Sequence, residues 1–287
     1  MKRTTVFLSM CLCLSLSGMA QVVINIPNLS DGMKAEPIDE VRFIAQYELT
    51  SVPDTLKPDK TDNETMMLKV GDKSSQYYSY TRFVTDSLFR EQIRKSPDGR
   101  VMNRQSSDAN PGRQTAQVFK NYPAGKTTTL DQIASSRFRC EEKNEIPQWE
   151  LLEDTLTILS YPCQKAVCTF KGRDYEAWFT TEIPRSEGPW KLQGLPGLIL
   201  RAQDTQGHYR FECTGIIRPQ DEEKLMFGAD GYQPVSRKDL NTVYKRYAAD
   251  PIGYVTSTSP NMKIVMKSPD GQDYRPKDTP FNPIERE

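Results

Sequence analysis

The chain has 287 residues with 38 basic and 38 acidic side chains, one histidine, six cysteines and a mean hydropathy of −0.65. A balanced charge leaves no basic surplus for phosphate backbones or anionic membranes, which argues against nucleic acid as a partner. The single histidine, His208, gives no histidine pair for metal ligation, and any Ser-His or Cys-His dyad would have to be built on it at the tip of the 204–207 turn with no Gly-x-Ser-x-Gly elbow, so it reads as a solvated hairpin residue.

Residues 1–20 carry Lys2 and Arg3, an apolar run from Val6 to Leu16, and Ser17-Gly18-Met19-Ala20 before Gln21. That positive, apolar, small-residue order predicts a secretory signal peptide cleaved after Ala20. The apolar run is shorter than the roughly 20 residues a bilayer span needs, so the chain is not expected to span a membrane. Cys11 and Cys13 lie inside this segment without the spacing of a lipid-attachment site. Residues 21–40 hold Asn, Pro, Asp and Gly breakers and read as a loosely ordered lead-in.

Residues 41–267 read as one antiparallel β domain. From Val41 to Thr50, apolar and polar side chains alternate, the rhythm of a half-buried strand. A loop over 53–64 follows, then strands over 66–70 and 76–80 and a short helix from Thr85 or Asp86 through Ile93. Turn signals then recur at short intervals. Between them the pattern predicts strands over 116–121, 126–131, 136–142, 148–152, 156–161, 163–170, 174–180, 198–203 and 208–216. Short strands without alternating helices imply a meander: a single curved sheet, half-barrel or sandwich. One packed helix is expected over 236–249, with Ser236 as cap, Leu240, Val243, Tyr244 and Tyr247 on one face, and Asp250-Pro251 as the stop. A strand pair over 252–257 and 262–267 and a Pro-rich tail over 268–287 complete the chain.

Cys140, Cys163, Cys168 and Cys213 remain after cleavage. An even number in an exported chain favours disulfides, and the spacings do not suit a metal site. Alternation puts Cys168 and Cys213 on core-facing, aromatic-rich faces, so the expected bridges are Cys168–Cys213 and Cys140–Cys163. Glu141-Glu142 is the most conspicuous acidic pair and reads as a solvated strand edge with its side chains on opposite faces.

The segment Gly188-Pro189-Trp190-Lys191-Leu192-Gln193-Gly194-Leu195-Pro196-Gly197-Leu198-Ile199-Leu200 joins a rigid Gly/Pro loop to an apolar strand. Together with Cys163-Gln164-Lys165-Ala166, Gly172-Arg173, Ala177-Trp178-Phe179-Thr180 and Ile183-Pro184, it resembles the GLPGLI family of Bacteroidota exported proteins. Leu68 to Ser74 and the tail Asn282-Pro283-Ile284-Glu285 share the resemblance. It implies an all-β fold and a periplasmic or outer-envelope location, and it brings no agreed activity, catalytic residue or cofactor.

Trp178 and Trp190, with Trp149, Tyr175, Phe179 and Tyr209, either fill a core or line an apolar cavity, and core packing weighs more. Gly194, Pro196 and Gly197 either shape the bend into the next strand or present a side-chain-poor loop to a ligand. These five positions (Trp178, Trp190, Gly194, Pro196, Gly197) are the binding candidates; no catalytic residue, metal ligand or cofactor is expected. The expected function is a non-enzymatic binding or accessory protein of the envelope, its partner an envelope protein, a peptide or an apolar small molecule. A carboxylate-dependent enzyme and an assembly protein are the alternatives.

Overall fold

The computed structural model describes residues 35–85, 87, 115–258 and 281–286. The expected signal-peptide segment, residues 86 and 88–93 of the helix expected from Thr85, the expected strand over 262–267 and most of the Pro-rich tail lie outside the described residues.

The first strands are β1 (Glu36–Glu40), β2 (Phe43–Ser51), β3 (Asp62–Val70) and β4 (Ser75–Ser79). The middle of the chain forms β5 (Gln117–Lys120), β6 (Lys126–Ile133), β7 (Ser136–Lys143), β8 (Glu150–Ile158), β9 (Tyr161–Phe170) and β10 (Arg173–Thr180). The last strands are β11 (Leu198–Asp204), β12 (Tyr209–Ile217), β13 (Lys224–Phe227) and β14 (Gln233–Val235), followed by helices α1 (Arg237–Ala249) and α2 (Pro251–Thr258). Twelve strands form one sheet in the order β14-β7-β6-β5-β4-β3-β2-β12-β11-β10-β9-β8, and β1 pairs with β13 in a separate ribbon. The pairings are antiparallel except β14 with β7. The end strands β8 and β14 do not pair with each other, so the mainly antiparallel sheet stays open as a curved trough rather than closing into a barrel.

Alternation sorts the side chains between the faces. Tyr47 and Leu49 of β2, Leu68 of β3, Tyr77 of β4, Val118 of β5, Cys168 of β9, Tyr175 and Ala177 of β10 and Phe211 of β12 converge in one core. The 181–197 segment lies within that core and contributes Trp190, Leu192 and Leu195. On the opposite face the β1–β13 ribbon packs Leu225 and Ile38 over Ile44, Met67 and Tyr78. Helices α1 and α2 bury Leu240 and Tyr254 against Ile133, Phe138 and Cys140.

The predicted helix stands with its cap: Ser236 Oγ accepts from the Asp239 N–H at 3.1 Å and the last turn ends at Asp250. Four expectations are corrected. Residues 252–257 are helical, because Asp250 Oδ1 accepts from the Gly253 N–H at 2.9 Å and Pro251 occupies the first helical position, where its missing N–H costs nothing. The two strands expected at 148–152 and 156–161 are the single strand β8, and Glu153-Asp154, between them in sequence, falls in a register shift between Leu151 and Thr155. The helix expected from Thr85 begins at Tyr80, with Ser79 Oγ accepting from the Arg82 N–H at 3.1 Å. Residues 36–40, inside the expected lead-in, form β1.

Candidate functional site

The most polar part of the interior lies where the 181–197 segment meets β5–β7, α1 and the C-terminal residues. Glu142 on β7 shares the face of Cys140, two residues earlier, and therefore points inward. There it accepts from Lys191 Nζ at 2.7 Å and from Arg237 at 2.6 Å. Both cations also pair with Glu285, at 2.7 Å from Lys191 and 3.6 Å from Arg237. Arg237 donates to Thr129 Oγ1 at 3.2 Å as well. This four-charge cluster thus ties together a strand, the loop, the start of α1 and the tail.

A second ion pair anchors the loop one turn earlier, at Glu187. Lys120 on β5 is fully buried, sits 2.6 Å from Glu187 and donates to the carbonyls of Gly188 and Leu192 at 2.7 and 3.3 Å. Ser75 Oγ donates to the same Glu187 carboxylate at 3.0 Å. Further bonds close the loop: Trp149 Nε1 donates to the Gln193 carbonyl at 2.8 Å, the Gln193 amide donates to Asn144 at 2.7 Å, and Ser186 donates to the Leu195 carbonyl. The Tyr47 hydroxyl donates to the Ile199 carbonyl at 2.7 Å.

Pairing sets the ionisation of Glu142 and Arg237, whereas burial leads for Lys120 and Asp131. Burial alone would raise the Glu142 carboxyl, but Arg237 and Lys191 overcome it and hold it down at about 2. Burial depresses Arg237, and Glu285 and Glu142 reverse that and raise it. Burial pulls Lys120 below its ordinary value against the opposing pull of Glu187. Asp131, on the same face of β6 as Thr129, is pushed up by burial while Thr115 and the Tyr244 hydroxyl, both bonded to it, pull the other way.

Two hollows are present, and only the first adjoins these groups. One, of about 10 Å³, is lined by Thr127, Glu142, Lys191 and Phe170 and has room for about one water. The other is an open polar groove of about 470 Å³ outside the sheet, lined by Pro37, Asp39, Arg42, Asp72 and Lys224. Asp39 Oδ2 is already engaged there by the N–H groups of Lys73 and Ser74 at 2.7 and 2.9 Å, which fixes the 71–74 turn. Among the described residues no group of three or more His, Cys, Asp or Glu side chains could hold a metal ion, and no helix is long and apolar enough to cross a membrane.

None of the five binding candidates lines either hollow. Trp190 is buried against Phe170 and Tyr175, with centroids at 5.9 and 6.3 Å. Trp178 is half-buried under the Lys165 ammonium, 5.8 Å from its ring centre. Gly194 and Pro196 are exposed and Gly197 is buried. A Cβ on Gly194, whose φ is +100°, would come within 2.3 Å of Ile146, and one on Gly197 within 1.9 Å of the Thr180 carbonyl. Glycine at 197 is therefore demanded by the close approach of the loop to the end of β10, and at 194 by a backbone conformation that L side chains rarely adopt.

The expected disulfides do not form: Cys140, Cys163, Cys168 and Cys213 are all buried free thiols. Eight strands separate β7 from β9 in the sheet, so Cys140 lies in the helix-covered core and Cys163 in the main one. Cys168 is opposite Tyr175, which is opposite Asp204, a row that meets β12 near Tyr209 rather than at Cys213. Three strand spacings of ~4.8 Å also exceed the ~7 Å Cα limit for a bridge. The face assignment was right for Cys168 and Cys213, but a shared face does not give lateral position.

Glu142 likewise departs from the solvated edge expected of it, whereas Glu141, on the other face, does pair with Lys126 at 2.9 Å. Sequence reasoning missed Lys120, Arg173, Lys191, Arg237 and Glu285. The available signals were a lysine between Trp190 and Leu192 in an apolar loop, and a tail motif with no predicted element of its own.

A family described as a protein of unknown function (Porph_ging) matches residues 170–201, which run from the end of β9 through the loop into β11. The match covers the Gly/Pro motif and names no GLPGLI family. No curated protein matches. Among solved structures, PNGF-II in its C2 and P21 crystal forms is similar over 69% and 70% of this chain, at 12% and 13% identity and TM-scores of 0.45 and 0.47. This chain spans 31% and 32% of those chains, about a third of their length.

Proposed function

We propose that the chain is an exported, non-enzymatic binding or accessory protein of the bacterial cell envelope, akin to the GLPGLI family, and that its ligands are polypeptides. The observation that carries this reading is the filled trough. The loop that a small apolar ligand would have to displace contributes Trp190, Leu192 and Leu195 to the core and is held in its middle, at Glu187 and Lys191, by two ion pairs whose lysines are buried. The hollow beside it has about 10 Å³, against the ~300 Å³ or more of a small-molecule site. An apolar small molecule therefore loses ground as a ligand, and surfaces that bind extended chain gain it.

The alternative of a carboxylate-dependent enzyme has one point in its favour, since Glu142 and Glu285 do converge on shared cations. A general acid needs a raised pKa, and Glu142 is held at about 2 instead. Purification of the native chain from the envelope fraction, with chemical crosslinking and mass spectrometry, tests the proposal. The expected result is a mature chain beginning at Gln21 with an envelope protein at constant ratio. Recovery of the intact chain, signal segment included, alone in the cytosolic fraction would overturn it.

A further inference from the structure

The C-terminal residues 282–286 lie in the trough as a peptide ligand would, and the groups that hold them form a built site. Arg173, 3% exposed, donates from Nε to the Ile284 carbonyl at 3.0 Å and from Nη2 to the Asn282 side-chain oxygen at 2.8 Å and the Pro283 carbonyl at 2.6 Å. Its remaining nitrogen is fixed by Asp204 at 2.7 Å, and the Tyr209 ring lies 4.7 Å from its guanidinium. The Tyr209 hydroxyl donates to the Asn282 carbonyl at 2.6 Å, and the Asn282 amide donates to the Val52 carbonyl at 2.8 Å. The Arg286 N–H donates to the Lys171 carbonyl at 3.1 Å. A Cβ on Gly172 would come within 2.8 Å of Arg286, so glycine there lets the peptide backbone approach.

These contacts read sequence as well as backbone. Both ends of the Asn282 amide are used, Pro283 offers no N–H and none is asked for, Ile284 packs on the core, and Glu285 meets Lys191 and Arg237. We propose that the surface formed by Val52, Lys171, Arg173, Tyr209, Lys191 and Arg237 is a peptide-recognition site for extended Asn-Pro-aliphatic-Glu segments, which the chain fills with its own C-terminus and which a partner polypeptide carrying that sequence fills by displacing it.

The tail is a competitor at an effective concentration of ~mM, so affinity in trans is masked in the native chain. The proposal deepens the polypeptide-binding reading by naming the ligand. Its test needs no envelope partner, so either idea can fail alone.

The experiment uses the full chain carrying Asn282→Ala and Glu285→Ala, which weakens the tail and leaves the groove side chains in place. Its probe is a fluorescent synthetic peptide of residues 279–287, read by anisotropy. The variant is expected to bind the peptide at least about tenfold more tightly than the native chain does, and peptides with Asn282→Ala or Glu285→Ala to bind about tenfold more weakly, as lost charge-assisted bonds imply. Glu285→Gln alone, which keeps the Arg173 contacts, is expected to give the same order with less contrast. Equal binding of a scrambled peptide, no binding by a folded variant, or failure of both variants to fold would overturn the site, the last by making the tail an inseparable part of the core. Native chain that forms dimers dissolved by the peptide would also replace the separate partner with a second copy as the occupant.

Discussion

Gly197 shows how far the loop's geometry is set by single atoms. A Cβ there would sit 1.9 Å from the Thr180 carbonyl, a backbone atom that cannot swing aside. Gly197→Ala is therefore expected to cost about 2–3 kcal/mol and lower the melting temperature by roughly 5–10 °C, measurable by circular dichroism; an unchanged melting temperature would mean the loop does not pack as described. The cysteines offer a second test. Burial pushes the Cys168 and Cys213 thiols up to about 12, and Cys140 and Cys163 upward as well. Thiolate is the reactive form, so all four should resist iodoacetamide at pH 8 in the folded protein and all four should react after unfolding without a reductant. Intact-mass counting of alkyl groups decides, and fewer than four after unfolding would restore a disulfide. At this scale the sequence was least informative. Glu142 reads as one of two adjacent surface acids, and only the position of Lys191, set by a loop some 50 residues away, makes it an interior ion.

At the scale of elements, the two-residue rhythm located most strands within one or two residues, because each strand of an antiparallel sheet records its own burial in its own sequence. β1, β13 and β14 escaped, because each buries at most one of its residues and so records no alternation in its sequence. The helix α1 was legible because its cap is local. Ser236 Oγ accepts from the Asp239 N–H and also donates to the Asp239 carboxylate at 2.6 Å. Ser236→Ala removes both bonds and should cost about 1 kcal/mol, seen as a melting temperature roughly 2–4 °C lower. Because α1 also carries Arg237 into the ionic cluster, frayed ends should show first as faster amide exchange at Asp239 and Leu240. Exchange that is unchanged there would separate the cap from the cluster. The α2 region failed for the opposite reason: Val255 and Tyr254 suggest a strand by composition, and the deciding features are the Asp250 cap and Pro251, which open a helix only when the preceding one has ended.

For the whole molecule, lateral strand order was beyond reach of the pattern, since burial says which face a residue takes and not which strand lies next to it. That order brings β7, the loop, α1 and the tail to one ionic cluster, and it gives the fold a defined acid response. Glu142 is held at about 2 against an ordinary 4.5, and Asp39, Asp72 and Glu223 are also lowered, Asp39 chiefly by backbone N–H groups acting against burial. A carboxyl with a depressed folded value stabilises the fold above its unfolded value and loses that contribution as pH falls through the folded one. Stability should therefore decline from about pH 4.5 to about pH 2. Asp131, raised by burial, has the opposite sign and regains stability on protonation, so it offsets part of the decline. Glu142→Gln leaves Lys191 and Arg237 with Glu285 alone. The variant should be less stable than the native chain at pH 7, by ~3 kcal/mol if the cluster behaves as a buried pair with one partner removed. Its stability should also change less between pH 4.5 and pH 2. Urea titrations across that window measure both effects. Equal slopes for the two proteins would show that the acid response originates outside the cluster.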